Sequence, residues 1–103
     1  MIKIGLIGTG FMGGTNAACY ESLLGSGFFK VTSIADLDYE RTSKLAQKLG
    51  AKVYTIGKEL IECGDVNVVD ICLPTYLHTE HALLAMEKGC NVFIEKQSWR
   101  IFQ

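Results

Sequence analysis

Residues 8–13, Gly8-Thr9-Gly10-Phe11-Met12-Gly13, have the types and spacing of a phosphate-binding turn. They follow a short apolar run, Ile2 to Ile7, and precede helix-like sequence, which is the context that gives G-x-G-x-x-G its meaning. Gly8 permits a tight turn out of a strand, and Gly10, lacking a Cβ, lets a pyrophosphate lie against the backbone. Gly13 lets the new helix pack closely on the sheet. The free N–H groups of the first helical turn, beginning at Phe11 and Met12, and the positive end of its dipole then face the phosphates.

Asp36 supplies the second piece of chemistry. A carboxylate at the end of a second strand accepts hydrogen bonds from both hydroxyls of an adenosine ribose and repels a 2′-phosphate, which favours NAD and leaves NADP as the alternative. Read without the glycines, Asp36 is a turn residue of the same kind as Asp38. Arg41 complicates the preference, because a guanidinium there can reach a 2′-phosphate; its plainer reading is a solvated helix residue. Glycine loop and acid together do not decide the reaction, since S-adenosylmethionine-dependent methyltransferases carry a similar pair.

The elements that must position these groups alternate along the chain. Ile2–Ile7 reads as a buried strand and Phe11–Leu24 as a helix with Ala17, Tyr20 and Leu24 inward, punctuated by Gly25 and Gly27. Phe29–Ala35 is β-branched enough for a second strand. Asp38 is the expected N-cap of a helix with Thr42, Leu45, Ala46 and Leu49 inside and Gly50 at its end. A short strand at Lys52–Tyr54, a helical turn or two near Lys58–Glu62 and a strong strand over Val66–Leu73, closed by Pro74, follow. His78–Lys88 is helical, with Ala82, Ala85 and Met86 inward and Gly89 as its cap, and Asn91–Ile94 is a last strand. Strands alternating with helices predict an α/β fold, a Rossmann-like doubly wound parallel sheet. Gly8, Asp36, Pro74 and Glu95 then fall at strand C-termini, on the rim where such sheets bind ligands.

Composition sets the outer limits. In 103 residues, 49% are hydrophobic and 20% charged, which suits one globular domain and excludes disorder. The formal net charge is −1 and the basic residues are scattered, so neither nucleic acid nor an anionic membrane is an expected partner. No apolar run reaches the roughly 20 residues of a membrane span, and the N-terminus does not have the pattern of a signal peptide. Cys19, Cys63, Cys72 and Cys90 match no zinc or redox spacing; they are expected to be reduced, mostly buried thiols of a cytoplasmic protein.

The second half of the chain is more specific than the glycine loop. Asp70-Ile-Cys-Leu-Pro-Thr-Tyr-Leu-His78, followed by Gly89-Cys-Asn-Val-Phe-Ile-Glu95-Lys96, resembles the Gfo/Idh/MocA family of sugar and polyol oxidoreductases over residues 1–96. In that family a fourth strand ends in a Pro-Asn or Pro-Thr turn followed by a His, and a fifth closes on Glu-Lys-Pro. The resemblance implies a dinucleotide-binding domain in which Pro74, Thr75 and His78 line the loop beside the nicotinamide half. It also implies Glu95 at the nicotinamide and Lys96 as the active-site lysine. An ammonium there can orient a substrate hydroxyl and stabilise developing charge on its oxygen. Taken alone, Lys96 is a surface lysine, and His78 and His81 are ordinary helix residues.

The pattern departs from the family at Gln97, where proline is expected, and residues 97–103 form an atypical apolar tail with Trp99, Ile101 and Phe102. The family's second domain, with its substrate contacts and catalytic His, has no counterpart in the sequence. The expectation is a truncated form, prone to self-association through an uncovered sheet edge. Two functional classes stay open. One is the cofactor half of an oxidoreductase that moves a hydride between a nicotinamide and a sugar, inositol or similar polyol. The other is a nucleotide-binding module without catalysis of its own.

Overall fold

The computed structural model describes residues 1–23 and 25–94, with Phe11 and Met12 defined in their backbone alone. Five strands, β1 (Ile2–Ile7), β2 (Phe29–Ala35), β3 (Lys52–Tyr54), β4 (Val68–Ile71) and β5 (Asn91–Ile94), form one sheet in the order β3-β2-β1-β4-β5. Every pairing is parallel. Four helices return the chain between strands: α1 (Phe11–Ser22), α2 (Tyr39–Leu49), α3 (Gly57–Cys63) and α4 (His78–Glu87), the last preceded by a 3-10 turn at Thr75–Leu77. This is the doubly wound parallel α/β fold expected, with its reversal of strand order between β1 and β4.

A central parallel strand is covered on both faces, so β1 has to be apolar almost throughout. Ile4 and Leu6 pack with Ala17 of α1 and Ala46 and Leu49 of α2. Ile7 points the other way, to Leu60 and Ile61 of α3 and Ala82 and Ala85 of α4. Gly5 shares that second face; a Cβ there would come within 2.6 Å of Leu60 Cδ2, so the glycine lets α3 sit close to the sheet.

The helix ends follow local chemistry. The Asp38 side chain accepts from the Arg41 backbone N–H and opens α2, and Gly50 closes it in the left-handed conformation at φ 70°. Gly25, Gly27 and Gly89 also have positive φ, as their punctuating positions require. The first helix stops at Ser22, short of the expected end at Leu24, which lies outside the described residues. The fourth strand is shorter than the apolar run Val66–Leu73, because pairing with β1 and β5 extends only over Val68–Ile71. Met86 is 56% exposed, not inward. The buried face of α4 is His78, His81, Ala82 and Ala85, an i, i+3, i+4, i+7 stripe that leaves Met86 off its edge. Cys72 and Cys90 are buried, but Cys19 and Cys63 are exposed on helix surfaces; all four are free thiols. The prediction that most cysteines are buried therefore holds for half of them.

Gly13 and Gly14 are adjacent in α1 but differ in what a side chain would meet. A Cβ on Gly13 would lie 1.8 Å from the Gly8 carbonyl oxygen, whereas one on Gly14 has nothing nearer than the Thr9 oxygen at 3.9 Å. Gly13→Ala is expected to destabilise the fold by about 2 kcal/mol or more, because backbone must move. Gly14→Ala is expected to leave stability unchanged or raise it by up to about 1 kcal/mol through helix propensity. Urea unfolding midpoints of the two variants check this.

Candidate cofactor-binding site

The three loop glycines do different work. Gly8 leaves β1 at φ 98°, and its N–H donates to the Ala35 carbonyl at 2.8 Å, adding one rung to the β1–β2 ladder. A Cβ there would meet the Cys72 carbonyl oxygen at 2.7 Å. Gly8 and Gly13 are thus required by the protein's own packing. Gly10 is not: it is exposed at the N-cap of α1, its φ of −70° suits any residue, and nothing lies within 4 Å of a Cβ built on it. The space a side chain would occupy is open, directly in front of the first turn of α1. That turn has neither a side-chain cap nor an acidic residue. Its N–H groups and dipole end are left for an external anion. The residues present therefore fit a pyrophosphate.

Asp36 follows β2 and ties the loop to the rest of the rim. Its Oδ2 accepts from the Thr9 backbone N–H at 2.7 Å and its Oδ1 from the Asp38 N–H at 2.9 Å. Burial pushes its carboxyl up, but the backbone donors of Asp38 and Thr9, the Thr9 hydroxyl and the Arg41 charge together outweigh it. The group is held below its ordinary 3.8. Arg41 is exposed on α2, as expected, and is also tied to the loop. Its Nε donates to Thr9 Oγ1 at 3.0 Å, and its terminal nitrogens lie 3.7 Å from Asp36 Oδ1 and 3.6 Å from Asp38 Oδ2. A local sequence window could not show this, because the Thr9 hydroxyl comes from the turn after β1, 32 residues earlier in the chain.

Behind the loop lies a polar cluster that the sequence reading missed. Asp70, in the middle of β4 and fully buried, accepts from Tyr20 Oη at 2.6 Å and Asn16 Nδ2 at 3.0 Å, both from α1. The Cys72 thiol donates to its other oxygen at 3.4 Å. Burial, then the hydrogen bond to Asp70 and its charge, push the Tyr20 hydroxyl far above its ordinary range, so it stays a donor. The available signal was a carboxylate inside an apolar strand run and a polar i, i+4 pair, Asn16 and Tyr20, on a helix.

The loop after β4 completes the rim. Pro74 and Thr75 are exposed there, at the start of the 3-10 turn. His78 is turned into the fold, with Nε2 2.6 Å from the Leu73 carbonyl oxygen, and so braces the loop from inside. A cavity of about 370 Å³ opens between the ends of β1, β2, β3 and β4, walled by Ile7, Leu37, Ile56, Leu73 and Pro74, with Asp36 at its margin and His81 in its side. The structure thus gathers Gly8, Gly10, Gly13, Asp36, Pro74 and Thr75 on one rim. Glu95 and Lys96 lie outside the described residues, as do the side chains of Phe11 and Met12.

The family model described as "Oxidoreductase family, NAD-binding Rossmann fold" (GFO_IDH_MocA) matches residues 2–96. The chain belongs to the Gfo/Idh/MocA oxidoreductase family. Within it, the chain is similar to an inositol 2-dehydrogenase of Pseudomonas savastanoi pv. phaseolicola, 37% identical over 98 residues, covering 92% of this chain and 28% of that protein. It is 33% identical to a levoglucosan dehydrogenase of Pseudarthrobacter phenanthrenivorans over 105 residues, covering 92% of this chain and 26% of that one. Among solved structures, the myo-inositol 2-dehydrogenase of Lactobacillus plantarum superposes with a TM-score of 0.81 at 28% identity, over 92% of this chain and 28% of its own. A levoglucosan dehydrogenase in complex with NADH and L-sorbose does so with a TM-score of 0.78 at 29% identity, over 93% and 27%. The chain spans a little over a quarter of the length of these Gfo/Idh/MocA relatives, and that quarter is their NAD-binding part. No helix among the described residues is long and apolar enough to cross a membrane, and none of their His, Cys, Asp and Glu clusters could hold a metal ion.

The Asp70 cluster is satisfied only as a set. Tyr20→Phe leaves a buried carboxylate short of its nearest donor and is expected to cost about 1–3 kcal/mol. Tyr20→Phe together with Asp70→Leu is expected to cost less than the sum of the two single variants. A double-mutant cycle on unfolding free energies measures the difference.

Proposed function

We propose that this chain is the NAD-binding part of an oxidoreductase that transfers a hydride between the nicotinamide and a sugar, inositol or similar polyol. The observation that carries the reading is Gly10: a glycine that the protein's own packing does not need, standing where an uncapped helix end meets open space. The family's NAD-binding match over residues 2–96 and the sugar and inositol dehydrogenases among the relatives support it.

When bound, the dinucleotide supplies the hydride acceptor or donor. In this reading Gly8 and Gly13 shape the loop, and the N–H groups from Phe11 and Met12 onward hold the pyrophosphate. Asp36, already ionised, accepts from the ribose hydroxyls with the lone pairs that Thr9 and Asp38 leave free. Arg41, held beside Asp36, offers a 2′-phosphate a counter-charge and makes NADP the second-choice cofactor. Pro74, Thr75 and Glu95 border the nicotinamide half. His78 acts by bracing that border through the Leu73 carbonyl. Lys96 is assigned the substrate hydroxyl, where an ammonium stabilises the oxygen as the carbon gives up its hydride. Residues 1–96 are assigned to the dinucleotide-binding domain, residues 97–103 are atypical of the family in sequence, and a cytoplasmic location is part of the proposal. So is self-association through β5, which pairs with β4 alone among the described strands and presents a half-exposed Phe93.

A binding module without catalysis is the second reading, because the comparisons cover only the NAD-binding quarter of the relatives. Nicotinamide absorbance at 340 nm, followed with inositol and levoglucosan as substrates, separates the two. NAD reduction that disappears in Lys96→Ala supports the oxidoreductase, and NAD binding with no reduction leaves the module.

Gly10→Val is expected to abolish NAD binding with little change in stability, because its side chain enters only the pyrophosphate's space. Asp36→Ala is expected to weaken NAD by about ten-fold and NADP less, since it removes ribose acceptors and the charge opposed to the 2′-phosphate. Calorimetric titration of both dinucleotides checks the two variants, and equal losses would show that Asp36 does not read the ribose.

A further inference from the structure

His81 has an unused acceptor in the wall of the rim cavity. Its ring is buried, and Nδ1 lies 2.9 Å from the Leu77 carbonyl oxygen, one turn back on the chain. A carbonyl only accepts, so in the neutral ring the hydrogen is on Nδ1 and Nε2 has a bare lone pair. No group among the described residues donates to Nε2, and it is not among the side-chain nitrogens and oxygens sealed from solvent without a partner. Gly57 stands against this part of the ring, where a Cβ would come 2.8 Å from Nε2 and 2.9 Å from Cδ2, so only a glycine fits beside it. Both residues line the cavity whose other walls are mostly apolar and whose margin is Asp36.

Mostly apolar walls, the Asp36 carboxylate and one imidazole acceptor among the lining groups suit a flat base with an amino donor, attached to a ribose. We propose that His81 is a base-reading residue: Nε2 accepts a hydrogen bond from the exocyclic amino group of adenine, and the Leu77 carbonyl fixes the tautomer that makes this possible. The inference rests on the NAD-binding reading and adds specificity to it. A base with a carbonyl oxygen in place of the amino group sets lone pair against lone pair. The ring cannot relieve this by shifting its proton without turning a second lone pair on the Leu77 oxygen.

The probe is nicotinamide hypoxanthine dinucleotide, in which a carbonyl oxygen replaces the adenine amino group and N1 of the base carries a hydrogen. Calorimetry on the full chain is expected to give an affinity about ten-fold or more below that for NAD. His81→Phe keeps a ring and removes the lone pair; it is expected to weaken NAD about ten-fold and leave the hypoxanthine dinucleotide nearly unchanged, collapsing the ratio to about one. A general loss of packing would lower both affinities together. In the unmodified protein, the 15N resonance of His81 Nε2 is expected to move upfield on addition of NAD and not on addition of the analogue. Equal binding of the two dinucleotides by the unmodified protein, or an Nε2 resonance indifferent to NAD, would overturn the inference while leaving NAD binding intact. Failure to bind either dinucleotide would overturn the cofactor reading and this inference with it.

Discussion

The structure depends on how closely three backbone segments approach at the head of the sheet. The Gly8 carbonyl occupies the place a Gly13 side chain would need, and the Cys72 carbonyl occupies the place a Gly8 side chain would need. The turn out of β1 is thus wedged between the first helix and the end of β4. That contact sets the angle at which α1 leaves the sheet and aims its N-terminal N–H groups outward. It also fixes the neighbouring strands' ends, since Gly8 N–H donates to the Ala35 carbonyl of β2 and Cys72 N–H, just past β4, to the Ile7 carbonyl of β1. Glycine is an internal necessity at two of the three motif positions, whereas no packing among the described residues requires it at Gly10.

Charge is arranged around this wedge on two levels. On the outer rim, Asp36 is held ionised by backbone donors from Thr9 and Asp38 and neighboured by Arg41, so the anionic group is preorganised and needs no rearrangement to accept further hydrogen bonds. Beneath α1, Asp70 is buried and accepts from Tyr20 and Asn16. A buried carboxylate that takes two of its donors from one helix ties that helix to the sheet at a defined height, where an apolar contact would tolerate sliding. The two carboxylates therefore serve the same loop from opposite sides, one holding its lip and the other its supporting helix.

The two histidines of α4 show how one helical turn changes what a buried ring is bonded to. His78 and His81 are both buried on the same stripe. His78 gives its outer nitrogen to the Leu73 carbonyl and stabilises the loop after β4, whereas His81 bonds its own helix through Nδ1 and leaves Nε2 to the cavity. Resemblance to the family drew attention to the first; the free acceptor belongs to the second.

The order of strands and helices, the phosphate loop, the capping of α2 by Asp38 and Gly50 and the rim position of Asp36 were all legible in the chain. Each rests on local rules: a period of two or of 3.6, a cap within three residues, a glycine where backbone must turn or approach. The inward place of Met86 and the burial of Cys19 and Cys63 were misread. Periodicity leaves the edge of a helical stripe ambiguous, and only the neighbouring helix decides it. Contacts across long separations in the chain, Asp70 with Asn16 and Tyr20, Arg41 with Thr9, His81 with Gly57, had no local signature. They depend on the parallel register of β1 with β4 and on how closely α1 and α3 seat against the sheet. Sequence alone determined which elements form and which of the candidate residues lie at the strand C-termini. Tertiary structure decided which side chains meet there, because those distances are set by strand register and helix packing rather than by spacing along the chain.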